Sequence, residues 1–383
     1  GPAPDLAFLH YFDLNEKEVQ HPDFFDVFEL RNLKIMKRRN SVIVLLVVSI
    51  IVLFVAENGL FAQQETSTEQ FCNDSIKEYL LEYNIPAVGI GIIEDGILRQ
   101  VKVYGELNKD TPAPYNAIFN VASLSKPIST VLTLQLVSNG DWDLDEPLYH
   151  SWVALDVKDD PTHKKLTTRH ILNHQTGFDN WRRMHASGKL TFNFEPGTEI
   201  KYSGEGFEYL RHAIEQKFDT PIEVLVDSLV FKPYGMNDTR LLWDENMHKS
   251  RYAEEHNKEG EPYNLWKRTE DACASDDVLT TIEDYGLFAV NVMKGTGLSE
   301  EVHKDMLRLQ AIADENGGFG LGWYIVKDYY QGEYVIMHDG SDAGVATKVV
   351  LLPESKRGII VFTNGDNGFK IVDKIINGYF GIE

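Results

Sequence analysis

Strand-like apolar runs stand near both ends of this chain and are missing from its middle, which restricts the folds open to it. Val88–Ile93 and Ile97–Tyr104 flank Glu94-Asp95-Gly96. Asp-Gly between two apolar runs predicts a tight antiparallel hairpin. Four more runs come late: Gly322–Lys327, Tyr334–Met337, Thr347–Leu352 and Gly358–Thr363. Two early strands and four late ones predict one antiparallel sheet closed by distant parts of the chain. Between them, Thr168–Asn173, Gly206–Lys217, Ile222–Val230 and Ile282–Met293 read as helices. Phe71–Tyr83 and Lys370–Tyr379 read as helices at the two ends of the sheet-forming sequence. The expected class is α/β, an antiparallel sheet flanked by helices with an inserted, mostly α-helical domain. The expected parts are 63–140 and 301–383 for the α/β domain and 141–300 for the insertion.

Composition narrows the function. Of 383 residues, 43% are hydrophobic, enough for a sizeable core. Thirty-seven basic against 59 acidic residues give a formal net charge of −22. Nucleic acid and anionic membrane surfaces repel such a chain, so neither is expected as a partner. Cys72 and Cys273 are too few for a disulfide framework and lack zinc-ligand spacing. Their pairing in an oxidising compartment stays open.

Near the amino terminus, Lys37-Arg38-Arg39 precede an apolar run, Val42–Ala56, and then Gly59-Leu60-Phe61-Ala62. A basic segment, a short apolar run and a small residue before a polar start read as a secretory signal over 36–62, cut after Ala62. The run is shorter than the roughly 20 residues a spanning helix needs. The alternative is a retained membrane anchor, and contact with a membrane is expected only if 42–56 is kept. Export to the periplasm or the medium is the expected outcome. Residues 1–35, ahead of Met36, read as an extension outside the fold; Gly1-Pro2 has the look of a protease-cleavage scar.

The chemistry starts at Val121-Ala122-Ser123-Leu124-Ser125-Lys126-Pro127, which opens an apolar helix ending at Asn139-Gly140. Ser123 and Lys126 are three apart and share a helix face. A serine hydroxyl needs a base, and a desolvated lysine amine can act as one. The helix N-terminus favours developing negative charge. Alone, S-x-x-K is a common coincidence. It gains meaning from Lys201-Tyr202-Ser203-Gly204 after Glu195-Pro196-Gly197-Thr198, from His338-Asp339-Gly340-Ser341, expected between two strands, and from Asn173-His174-Gln175-Thr176-Gly177 between the serine and tyrosine motifs.

In this order and spacing, the stretch from Phe71 to the carboxyl end resembles the serine β-lactamases and penicillin-binding proteins. The likeness is to the class C β-lactamase-like branch, which includes D-alanyl-D-alanine peptidases and family VIII carboxylesterases. The resemblance implies that Ser123 attacks a carbonyl and forms an acyl-enzyme, with Lys126 as its base or as the holder of a proton network with Tyr202. Tyr202 would shuttle a proton to the leaving group and activate the deacylating water. His338-Asp339-Gly340 would line the cleft, with His338 among the catalytic residues and Gly340 and Gly204 among those at the substrate, and the N–H groups of Ser123 and Ser341 would form the oxyanion hole. Two positions depart from the pattern: Gly204 replaces a frequent Asn, and His338 replaces a frequent Lys. Both losses remove groups that grip β-lactams.

Ester hydrolysis is therefore expected first, D-amino-acid peptide cleavage second and β-lactam hydrolysis third. The substrate is a small ester or peptide, with no cofactor and no metal. A weakly active binding or scaffold protein is the competing reading. Asp141-Trp142-Asp143-Leu144-Asp145 fails as a calcium loop, because Glu146 and Trp152 occupy its sixth and twelfth positions. His174 reads as a structural residue, Glu205 as a surface one, and Trp181, Trp266 and Trp323 as core. G-x-S-x-G, H-E-x-x-H, P-loop and G-x-G-x-x-G patterns are absent.

Overall fold

The computed structural model describes residues 67–108, 110–243, 247, 249–264, 271–276 and 278–381. The chain divides into two units, Gly1–Phe71 and Cys72–Glu383. The second unit carries the sheet and the chemistry-bearing motifs, and the helix Ser67–Tyr83 leads into it. The extension, the signal-like segment 36–62 and Trp266 lie outside the described residues, as does the side chain of Cys72.

Asp95 and Gly96 take left-handed φ angles of 54° and 70°. That geometry lets β1 (Ala87–Glu94) turn tightly into β2 (Ile97–Asn108). β1 then pairs on its other edge with β11 (Arg357–Thr363), Val88 opposite Thr363 and Ile93 opposite Gly358. This pairing joins the front of the chain to its back. β11 continues into β10 (Val345–Leu352), β9 (Glu333–Asp342) and β8 (Tyr324–Tyr330). The six expected strands are present. Three short ones complete a nine-stranded antiparallel sheet: β3 (Thr111–Pro112), β6 (Ala311–Ile312) and β7 (Gly317–Phe319), in the order β3-β2-β1-β11-β10-β9-β8-β7-β6. A separate pair joins β4 (Phe119–Asn120) to β5 (Leu279–Thr280). One expectation changes: His338–Ser341 lies inside β9, not between two strands.

Both faces of the central strands are covered, so they read as continuous apolar runs. Val88, Ile90, Ile92, Ile359 and Val361 pack with Leu80 of α1 (Ser67–Tyr83) and with Ile371, Val372, Ile376 and Phe380 of α8 (Phe369–Phe380). Ile360, Phe362, Val349 and Leu351 face the opposite core. There α2 (Ser125–Ser138) and α6 (Ile282–Lys294) lie against the sheet. On β1 the residues on that side are Gly89 and Gly91. A Cβ on either would stand 2.6 or 2.9 Å from the Ile282 side chain, so glycine lets α6 sit close.

α2 is buried from Ser125 to Leu136 on every side, its polar Ser125, Lys126, Ser129, Thr130 and Thr133 included, the mark of a helix inside a core. Its outer neighbours are the helices of the middle segment: α3 (Thr168–Leu172), α4 (Gly204–Phe218) and α5 (Ile222–Val226), with α7 (Glu300–Met306) beyond. The helix carrying Lys126 thus lies between the sheet and these helices.

Candidate active site

Asn120 starts the site. Its Oδ1 accepts from the Ala122 N–H at 2.9 Å, and Ala122 adopts φ +48°. A left-handed alanine is strained and persists only where its surroundings hold it. The chain then makes one 3-10 turn, Ala122–Leu124, and enters α2 directly. Ser123 stands in that turn, with Lys126 as the second residue of the helix. Lys126 Nζ is 2.9 Å from Ser123 Oγ and donates to the Ser275 carbonyl at 2.8 Å. The lysine is only 1% exposed. Its amine also lies 4.9 Å from the centre of the Tyr202 ring.

Tyr202 immediately precedes α4. Ser203 caps that helix by accepting from Gly206 N–H, and its own hydroxyl donates to the Asp179 carbonyl. The tyrosine ring stacks at 4.4 Å on His174, which is buried and accepts from the Ser203 N–H through Nδ1. Burial, then the nearby Lys126 charge, holds His174 well below the usual imidazole range. His174 is therefore a neutral prop for the tyrosine.

β9 brings the third motif to Ser123. A Cβ on Gly340 would lie 2.2 Å from the Val121 carbonyl oxygen, so only glycine permits the approach. Thr347, opposite Gly340 on β10, donates to that same oxygen at 3.0 Å. His338 is buried, and its Nδ1 lies 2.8 Å from the Asp339 carbonyl, which makes Nδ1 the protonated nitrogen. Burial, reinforced by the Lys126 charge, pushes its pKa down to about 3. His338 is neutral at every working pH and carries no cation into the site.

Ser123, Tyr202, His338 and Ser341 line one cleft of about 510 Å³ together with Asn180, Phe319, Tyr324, Met337 and Asp339. Lys126 sits beneath it. Gly340 and Gly204, both expected at the substrate, stand behind the lining. At Gly204 a Cβ would come within 3.2 Å of Asn180 Oδ1 and of the Trp181 ring. Asn180 instead accepts from the Gly204 N–H at 2.8 Å and presents its amide at the cleft. Trp323 is fully buried, as expected for core. Glu205 is not a surface residue: it is 5% exposed and clasped by Arg182, whose Nη2 donates at 2.8 Å. A larger open groove of about 890 Å³ elsewhere is lined by ion-paired Arg169, Asp145 and Asp305 and holds no nucleophile–base pair.

The beta-lactamase family model matches residues 72–375. Penicillin-binding protein 4* of Bacillus subtilis (strain 168) is 23% identical over 302 residues, which is 68% of this chain and 64% of that protein. The chain thus spans under two thirds of that relative. A beta-lactamase of Pseudomonas fluorescens is 22% identical over 341 residues, 78% of this chain and 94% of the relative. Among solved structures, a D-amino acid amidase from Ochrobactrum anthropi SV3 superposes with a TM-score of 0.66 at 21% identity, covering 76% of this chain and 91% of the amidase. With its family model matched over most of its length and its sheet and helices in the same arrangement, the chain belongs to the beta-lactamase family.

Proposed function

We propose that this protein is a serine hydrolase that forms an acyl-enzyme on Ser123 and prefers uncharged esters. The observation that carries the reading is the buried Lys126 amine, 2.9 Å from Ser123 Oγ and held from behind by the Ser275 carbonyl. In this reading the Lys126 amine takes the Ser123 proton as Oγ attacks the substrate carbonyl. The N–H groups of Ser123 and Ser341 receive the oxyanion. Collapse breaks the bond to the leaving alcohol, which takes its proton from the Lys126 ammonium through the Tyr202 hydroxyl. Water then attacks the acyl group, giving its proton to the same pair; the acyl–Oγ bond breaks, the acid leaves, and Ser123 Oγ takes that proton back.

The lining favours esters over carboxylate-bearing peptides and β-lactams. His338 is neutral and, among the described residues, no lining side chain is a cation that would hold a substrate carboxylate. Phe319, Tyr324 and Met337 offer an apolar wall for an acyl or alcohol group. We place the catalytic body outside the cytoplasm on the signal-like pattern of 36–62, which cell fractionation checks. No described helix is long and apolar enough to cross a membrane.

A fluorophosphonate probe followed by peptide mapping tests the reading. Labelling at Ser123, and turnover of p-nitrophenyl butyrate above nitrocefin and D-Ala-D-Ala peptides, is expected. Ser123→Ala should remove about 10⁴-fold or more of kcat. Labelling at another residue, or none, supports the scaffold reading instead.

A further inference from the structure

Among the described residues the Lys126 amine has two polar partners, Ser123 Oγ and the Ser275 carbonyl. A backbone carbonyl can direct a lysine only if its own loop is fixed. Ser129 of α2 holds one side of that loop by donating to the Ala274 carbonyl at 2.6 Å. The other side converges on a single atom of α4. Glu208 Oε1 accepts from Ala274 N–H at 2.8 Å, and from Ser275 N–H and Ser275 Oγ at 3.2 Å each. The Cys273 thiol lies 3.3 Å from the same oxygen. The other oxygen, Oε2, accepts from Arg211 Nε at 2.9 Å, which fixes the carboxylate in turn.

We infer that Glu208 is a positioning residue for the catalytic base: it holds residues 273–275 so that the Ser275 carbonyl aims Lys126 at Ser123. The inference rests on Lys126 being the base in the proposed reaction. Glu208 follows Tyr202 by six residues on the helix that Ser203 caps. One helix therefore sets both the phenol and, through the loop, the amine. Glu208 does not line the cleft. Its loss should change the chemical step and leave substrate binding alone, since a misplacement near 1 Å can cost about 10²-fold in rate.

The experiment monitors fluorophosphonate labelling at Ser123, together with kcat and KM for p-nitrophenyl butyrate. Glu208→Ala is expected to lower the labelling rate and kcat by about 10- to 100-fold with KM within about twofold. Glu208→Gln keeps an acceptor oxygen for the loop and should restore most of that loss. In a Lys126→Ala background the further change Glu208→Ala should cost less than about twofold, because the group it serves is gone. If Glu208→Ala does not fold, Glu208→Asp, one methylene short of the loop, carries the same comparisons. A loss that persists undiminished without Lys126, or that falls on KM, overturns the inference. A wild-type protein that labels well beside an equally fast Glu208→Ala overturns it alone, whereas a wild type unlabelled at Ser123 overturns the hydrolase reading and this inference together.

Discussion

The two walls of the cleft are held by different forces. The sheet wall, Val121–Ser123 against β9, rests on short neutral contacts: Gly340 on the Val121 carbonyl, Thr347 donating to that carbonyl, and Asn120 holding the strained Ala122. The tyrosine wall is pinned by ion pairs: Lys201 with Asp179, Arg182 with Glu205 and Arg211 with Glu208. The first kind of contact is steric and indifferent to salt. The second is electrostatic and tolerates small shifts. The proposed nucleophile and oxyanion donors, which need the finest alignment, stand on the steric wall. The phenol, which in the proposed reaction only relays a proton, stands on the other.

The comparison breaks most visibly at Gly340. Gly340→Ala would put a methyl 2.2 Å from the Val121 oxygen and 2.3 Å from Thr347 Oγ1, where no flexible side-chain end can give way. The strand must retreat and take the Ser341 N–H with it. Loss of one oxyanion donor typically costs about 10²–10³-fold. The expected result is a fall of that size in kcat and in Ser123 labelling. Near-normal activity would show that this approach is not what aligns the site.

Behind the steric wall lies a buried carboxyl. Glu255 is 4% exposed, accepts from the Tyr252 hydroxyl and takes a long 3.4 Å contact from Asn120 Nδ2, while its Cβ packs on Gly344 of the β9–β10 turn. Burial raises its pKa to about 7, from an ordinary 4.5. The folded state holds this proton more tightly than the unfolded one. The associated stability is therefore complete below about pH 4.5 and is lost as pH rises through about 7. Glu255→Gln, which keeps the acceptor oxygen and never ionises, should match the wild type near pH 4. Above pH 7 it should be more stable by about 2–3 kcal/mol. Denaturant titrations at the two pH values measure this, and an equal difference at both would mean that folding leaves the pKa of this carboxyl unshifted.

These walls also mark what the sequence displays. Ser123 and Lys126 are legible because a spacing of three on a helix is a local pattern, and the tyrosine and His-Asp-Gly motifs because each is a short run of letters. The main strands are legible because both faces are buried and their apolar runs are long. β3, β6 and β7, at two or three residues each, are too short to show a period. The Ser275 carbonyl is invisible because a backbone atom has no letter of its own. Asn180 reaches the cleft only through the space left at Gly204, 24 positions away. Glu205 looks like a surface acid until Arg182, 23 positions earlier, is folded over it.

That clasp gives the gentlest test of the tyrosine wall. Arg182 donates to Glu205 through Nε at 3.1 Å and Nη2 at 2.8 Å, and its backbone N–H donates at 2.8 Å as well. The guanidinium is 44% exposed, so water already screens much of the attraction. Arg182→Ala leaves the backbone donor in place but takes the cation from a buried carboxylate, so it should cost about 1–3 kcal/mol of stability. Salt screens an exposed ion pair, so the difference from the wild type should shrink between low salt and about 1 M. Because the clasp anchors the turn just after Tyr202, kcat should fall by only a few-fold, and that loss should not deepen in salt. A loss as large as that of Gly340→Ala, or one independent of salt, would mean that the tyrosine wall is held as rigidly as the sheet wall and that the two are not distinct.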